Sequence, residues 1–336
     1  MKIVVTGGYG FIGSCLIRKL ILNKKNLVLN LDALKYCSMP ESLEEVKRSK
    51  NYSFKKIDLY DFNKLKKIIK KFRPNIIFHL AAESHVDNSI LNSYDFIKSN
   101  IIGTYNVLKS IQLYSRQTLL LHVSTDEVYG SLKNKKENSF TEESKFYPNS
   151  PYSATKASSD LLVNAWNKTY NLQVIITNCV NNFGKWQFPE KLIPVVIDSC
   201  LKFKKIPVYG NGKNIREWID VENHVEYLIH LSKFGKIGET YNIGSGYEIE
   251  NILLIKKICK YFDNKFPKKK PYQSLIKFVN DRPGHDLRYS VNTSKINKFF
   301  KKNYYEEFDD KLYETIDWHI NNRRWLQNKI KYKKIK

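Results

Sequence analysis

The sequence predicts an α/β fold, a doubly wound parallel sheet with a smaller mixed α/β lobe, and three observations carry that reading. Short apolar runs alternate with helical patterns through the first half. A glycine-spaced turn joins the first run to the first helix. Past Gly184 the rhythm breaks into shorter pieces punctuated by Pro189, Pro194, Pro207, Gly210 and Gly212. Strand-helix alternation implies right-handed crossovers between parallel strands. The 336 residues exceed one typical domain, and 42% hydrophobic content supplies a core.

The elements follow in order. KIVVTG precedes a helical pattern from Phe11 to about Asn23, and LVLNLD (Leu27 to Asp32) reads as the second strand. YSFKKIDL is read as a third strand ending at Leu59, before a Lys-rich amphipathic helix from about Asp61 to Phe72. IIFHLAA (Ile76 to Ala82), a helix near Tyr94 to Leu113, and the run Leu119 to Val123 come next. A helix after Pro151 and a strand at Gln173 to Asn178 complete the alternation. A Lys-rich tail from about Lys329 is expected to fray.

Composition narrows the function. There is no charged-then-apolar leader, and no run approaches the roughly 20 apolar residues of a membrane helix. Cys15, Cys37, Cys179, Cys200 and Cys259 are scattered and odd in number, so neither a disulfide framework nor a zinc site is expected. A cytoplasmic location and no membrane partner follow as expectations. The formal charge of +24 invites a nucleic-acid reading, but only nine of the 57 basic residues are Arg. No recognised nucleic-acid motif accompanies the lysine clusters, so no nucleic-acid partner is expected.

Chemistry enters at three places. TGGYGFIG sets Gly7, Gly10 and Gly13 between a strand and a helix, the spacing that lets backbone approach a pyrophosphate at a helix N-terminus. Asp32 ends the second strand at the distance expected of a ribose-diol acceptor, where its charge repels a 2′-phosphate and favours NAD. Asp58 and Leu59 are candidates for the adenine edge, and His79 to Ala82 supply small residues beside the cofactor, with His79 itself read as a hydrogen-bonded strand histidine. In NSPYSATKASSD, Tyr152 and Lys156 lie four apart on one helix face, with Ser150 as N-cap and Pro151 at the first position. An ammonium beside the phenol is expected to lower the tyrosine's pKa toward that of a working base. Finally, STDEVYG sets Asp126 and Glu127 side by side after a buried strand. Two adjacent carboxylates there are costly, which leaves two readings, a strand ending in a solvated acidic loop or a general acid and a general base held side by side.

Together these segments resemble the extended short-chain dehydrogenase/reductases, and most closely the nucleoside-diphosphate-glucose 4,6-dehydratases. The resemblance runs from TGGYGFIGS through HLAAESHVDNSI, STDEVYG, PYSATKASSD, NNFGKWQFPEKLIP, GETYNIGSG and DRPGHDLRY to TIDWHINNRRW. It implies a Rossmann-like NAD-binding domain over 1–180, with a segment near 220–246 returning to it, and a sugar-nucleotide lobe over 181–330. It also implies a redox-neutral reaction. Tyr152, helped by Thr125 and Lys156, takes the C4 hydroxyl proton while NAD takes the hydride. Glu127 removes the C5 proton, Asp126 protonates the departing C6 hydroxyl, and the hydride returns to C6. The product is the 4-keto-6-deoxy sugar that feeds rhamnose or other deoxysugar synthesis.

By the same resemblance, Phe11, Ile12, Leu80, Ala81, Ala82, Ser84, Asn100 and Asn182 join the cofactor contacts. Ser84, Thr125, Asn181, Lys191 and Leu192 would meet the sugar nucleotide. Pro207, Val208 and Tyr209 would pack on the base. Arg216, Asn251 and Arg282 would hold the diphosphate, with His285 close by. A homodimer through a four-helix bundle is implied, formed by the helices near Tyr94 to Leu113 and after Pro151. Asn88, Lys185 and Trp186 depart from the bacterial dTDP-glucose pattern, and Asn88 resembles the plant UDP-glucose enzymes. UDP-glucose is therefore slightly favoured. An epimerase or decarboxylase of the same fold would leave Asp126 and Glu127 idle, as would an inactive NAD- or nucleic-acid-binding protein.

Overall fold

The computed structural model describes residues 1–300, 302 and 304–335. The first half runs β1 (Lys2–Thr6), α1 (Phe11–Leu22), β2 (Leu27–Asp32), β3 (Tyr52–Lys56), α2 (Phe62–Phe72), β4 (Ile76–His79), α3 (Val86–Leu91) and α4 (Ser93–Phe96). A wider π-helical stretch, Ile97–Ile102, leads into α5 (Gly103–Tyr114), followed by β5 (Leu119–Thr125), α6 (Pro151–Tyr170) and β6 (Val174–Cys179). Then come β7 (Asn181–Phe183), α7 (Leu192–Lys202), β8 (Ile206–Tyr209), β9 (Ile215–Asp220), α8 (Val221–Phe234), β10 (Thr240–Ile243) and β11 (Glu248–Glu250). The chain closes with α9 (Asn251–Lys265), β12 (Ile276–Val279), α10 (Ser294–Asn297), α11 (Phe308–Asn321) and α12 (Arg323–Ile335).

Seven strands form one sheet in the order β3-β2-β1-β4-β5-β6-β10, each pair parallel. Strand alternation splits the apolar residues between its faces. Ile3, Val5, Phe78, Leu121 and Val123 join the core beneath α1 and α8, while Val4, Ile77 and Leu120 join the one beneath α2, α5 and α6. A third core, around Phe183, Ile197, Trp218, Ile258, Phe262 and Leu312, belongs to the second lobe. There β9 pairs with β7 in parallel and with β11 antiparallel, and β8 pairs with β12 in parallel. After this excursion α8 and β10 return to the large sheet, where β10 extends it beside β6.

Several boundaries differ from the sequence expectation. β3 stops at Lys56, and Asp58 and Leu59 lie past its end, because the ladder to β2 ends at Asp32–Lys56. β4 stops at His79, where Thr6 Oγ1 accepts from the amides of Leu80 and Ala81 and ends the ladder. β5 continues through Ser124 and Thr125, both paired with β6. The tail expected to fray is helical through Ile335, and Lys329 Nζ lies 2.8 Å from Glu41 Oε1. Lys336 lies outside the described residues. Among the described residues, no helix is long and apolar enough to cross a membrane, and the five cysteines are free.

Candidate active site

Where a doubly wound sheet changes direction, its strand ends diverge and open a crevice. Here the switch lies between β1 and β4. Gly7 adopts φ +69°, and a Cβ on it would stand 2.8 Å from Ala81 Cα. One on Gly13 would stand 2.2 Å from Gly7 O. The Gly10 amide donates to Gly7 O at 2.9 Å, and Phe11 and Ile12 open α1 without a side-chain cap. This cradle of bare backbone fits a pyrophosphate at the helix N-terminus. Asp32 is buried at the end of β2, its carboxylate accepting from the Tyr9 and Leu34 amides and from Ser38 Oγ. Those bonds fix its orientation at the crevice edge. Asp58 is half exposed, 3.8 Å from Lys35 Nζ.

Across the crevice, His79 sits between Thr6 Oγ1 (2.8 Å) and Thr104 Oγ1 (3.0 Å), the satisfied strand histidine expected. Asn100, buried in the π-helical stretch, accepts from the Glu83 amide and donates to Glu83 O and Thr155 Oγ1. It thereby pins the segment carrying Ala82 and Ser84. Asn182 bonds His224 Nδ1 at 2.8 Å through Oδ1, and its amide donates to Val180 O.

α6 begins with a full capping box, Ser150 and Ser153 each bonded to the other's backbone, with Pro151 at the first turn. This cap places Tyr152 and Lys156 against the end of β5. Lys156 Nζ donates to Val123 O at 2.9 Å, and Ser124 Oγ, His122 Nε2 and Asn178 Nδ2 converge on Asp160 one turn further along. The expectation of a low tyrosine pKa is corrected here. Burial, then Glu127, Cys179 and Asp126, push the Tyr152 phenol well above its ordinary value, against a hydrogen bond with Thr125 that lowers it. Lys156 is itself lowered by burial and is turned to a backbone carbonyl.

The two carboxylates differ in surroundings. Asp126 is 1% exposed, accepts from Thr125 Oγ1 at 3.2 Å, and leaves Oδ2 buried without a partner. Burial first, then the charges of Glu127 and Glu217, drive its carboxyl well above the usual range. Glu127 is half-buried in the same 3-10 turn. Burial raises it too, but Arg282, Arg216 and Lys191 oppose that rise. Both carboxyls are raised by burial, but only at Glu127 do three cations stand first among the opposing charges.

The second lobe supplies those cations. Arg216, 4% exposed, stacks over Tyr289 with its guanidinium carbon 4.3 Å from the ring centroid. Its Nη atoms donate to the carbonyls of Ile215, Asp286 and Leu287, so it stands as a fixed charge rather than the open fork expected. Arg282 Nη1 reaches Asp87 Oδ1 at 3.5 Å, with Nε buried and unpartnered, and His285 Nδ1 lies 2.6 Å from Asp281 Oδ1. Tyr209 hydroxyl meets the same Asp87 at 3.2 Å and its ring packs edge-on to His285, while Pro207 is exposed and Val208 buried beneath them. Lys191 caps α7 and donates to Ser84 O at 3.0 Å, with Leu192 following it. Asn181 opens β7 opposite Trp218. Asn251 starts α9 with a buried, unpartnered Oδ1.

Some participants were not singled out from sequence. Tyr289 and Asp286 share a short hydrogen bond beside Arg216. Glu190 accepts from Tyr36 hydroxyl at 3.1 Å, and Asn88 Nδ2 donates to that hydroxyl at 3.2 Å. Glu190 and Tyr289 lie inside quoted motifs. Tyr36 carries no sequence signal, because a loop after β2 brings it across the crevice.

The sequence matches the GDP-mannose 4,6 dehydratase family over residues 4–314. It is 45% identical to the dTDP-glucose 4,6-dehydratase of Neisseria meningitidis serogroup B, covering 97% of this chain and 95% of that protein. The crystal structure of the Bacillus anthracis dTDP-glucose 4,6-dehydratase with NAD superposes with a TM-score of 0.88 at 36% identity, covering 98% and 99%. DesIV, the dTDP-glucose 4,6-dehydratase of Streptomyces venezuelae, solved with NAD bound, gives 0.89 at 37%, covering 97% and 98%. From its glycine turn to its paired carboxylates, this chain belongs to the GDP-mannose 4,6 dehydratase family.

Proposed function

We propose that the chain is an NAD-dependent hydro-lyase that converts a nucleoside-diphosphate glucose to its 4-keto-6-deoxy form. The observation that carries the reading is the unequal carboxyl pair. Burial pushes the Asp126 carboxyl well above its ordinary range, while the rise at Glu127 is opposed by three cations, both beside Thr125 and Tyr152. Acid and base with separated pKa values are what a dehydration needs.

Residues 1–180 with 220–246 form the cofactor domain, and 181–330 the substrate lobe. Gly7, Gly10 and Gly13 would hold the pyrophosphate and Asp32 the ribose, and bound NAD would supply a hydride acceptor whose hydride is later returned. Thr125 holds the Tyr152 oxygen by a hydrogen bond, and Tyr152 would take the C4 hydroxyl proton only as its phenolate, after the phenol has given up its own proton. Lys156 is held by Val123 O, one helical turn from Tyr152. Glu127 takes the C5 proton, and Asp126 delivers its own proton to the leaving C6 hydroxyl, so one water departs. Arg216 and Arg282 bring positive charge toward the diphosphate.

For the base, the relatives' names favour dTDP-glucose. Asn88, the main reason to expect UDP-glucose, spends its amide on Tyr36 beside Glu190, so its identity bears on that network rather than on the base. Dimerisation is part of the same reading. Leu91, Tyr94 and Leu161, exposed by 85%, 63% and 60% on α3, α4 and α6, leave an apolar face suited to a second copy. A monomer mass in light scattering at micromolar concentration would refute the dimer.

The test of function is product mass. Purified protein incubated with dTDP-glucose and UDP-glucose in separate tubes should yield a product lighter by one water, without net NADH. Unchanged mass with inverted sugar configuration would establish an epimerase instead.

A further inference from the structure

Nothing in the proposed reaction uses the last helix, yet α12 touches both sides of the crevice. On the substrate side stands Trp186, in the loop between β7 and α7. Its φ of +68° is a left-handed conformation costly for a bulky aromatic. Its indole packs on Trp318 of α11 at 4.8 Å and on Trp325 of α12 at 5.3 Å between ring centroids. The same loop then places Phe188 edge-on to Tyr36 and carries Glu190 and Lys191. One turn beyond Trp325, on the same helical face, Lys329 Nζ lies 2.8 Å from Glu41 Oε1 and 3.5 Å from Ser38 O. Ser38 in turn donates to Asp32. Between them Leu326 is fully buried and seats the helix.

We propose that α12 is a strap that ties the substrate-side loop 184–191 to the cofactor-side loop 33–41. Trp325 and Lys329 are its positioning residues, and together they set how slowly a bound dinucleotide leaves. A reaction that ends with its cofactor as it began gains from such retention. The inference rests on the reading of this crevice as an NAD site.

The test compares full-length wild-type protein with Trp325→Ala, Trp325→Phe and Lys329→Met, at low and high salt. Two quantities are read: the rate of NAD release by displacement, and amide hydrogen exchange in the two loops. Trp325→Ala should speed release by about tenfold, the scale of one aromatic contact, and raise exchange in both loops. Trp325→Phe should restore most of the retention. Lys329→Met should speed release by about threefold and abolish its salt dependence, with no added effect in a Glu41→Gln background. Faster exchange confined to 184–191 would reduce Trp325 to local packing and overturn the strap. So would a folded Lys329→Met protein indistinguishable from wild type, a result that decides the matter even if Trp325→Ala fails to fold. A wild-type protein that neither binds NAD nor dehydrates would refute the functional reading itself. A competent wild type matched by every variant would refute only the strap.

Discussion

The glycine turn and the carboxylate pair face the same crevice but are built in opposite ways. The turn is assembled from residues within one βα unit and the next strand: Gly7, Gly10, Gly13 and Asp32, with Ala81 as the close neighbour. Its geometry follows from missing side chains. The pair is also contiguous in sequence, but its chemistry is supplied from more than 60 residues away, by Lys191, Arg216, Glu217, Arg282 and Asp286. A local motif therefore shapes the cradle of bare backbone, whereas long-range packing sets the surroundings of the two carboxyls apart.

Substitution can break each half separately. The largest effect is expected at the pair. Asp126→Asn should lower kcat by about 1,000-fold, within the range of general acid catalysis, and trap the cofactor in its reduced form at 340 nm. Release of the ketone product at a normal rate would remove Asp126 from the dehydration. Next, Gly13→Ala should weaken NAD binding by about 100-fold, through a Cβ 2.2 Å from Gly7 O. Calorimetric titration with NAD checks this, and unaltered affinity would show that the turn can relax.

A smaller, pH-dependent effect distinguishes burial from charge. Burial raises Glu217 from the carboxylate range to about 7. A carboxyl raised in the folded state holds its proton where the unfolded chain has lost it, so stability must fall as pH rises from about 4.5 toward 7. The slope is of order 1 kcal/mol per pH unit inside that window. Glu217→Gln should flatten melting temperature against pH there, and an unchanged slope would assign the linkage to other buried carboxyls. The smallest effect is expected at Asp58, which is half exposed. Asp58→Asn should change NAD affinity by less than about fivefold, as for an exposed charge.

Much of the architecture was legible before any coordinates. Alternating apolar runs located the strands within a few residues, since the inner ones, β4, β5 and β6, are buried on both faces between helix layers. Ser150 and Pro151 announced the start of α6 because capping is a local matter of unsatisfied amides. Asp58 was misplaced onto a strand because β-propensity carries no information about where a neighbour's ladder stops. The expected fall of the Tyr152 pKa failed for a related reason. Spacing put Lys156 on the same helix face, but burial and two carboxylates outweigh it, and Val123 O takes its proton donor.

By itself, then, the sequence determined the sheet, the dinucleotide turn and the residue types gathered at the end of β5, because periodicity, glycine geometry and capping act over short distances. Only the tertiary structure decided that burial raises the Asp126 carboxyl while Glu127 faces cations, that Arg216 stacks on Tyr289, and that Tyr36 crosses to Glu190. Desolvation and Coulomb forces depend on what the whole chain folds around a group, and no window along the sequence contains that information.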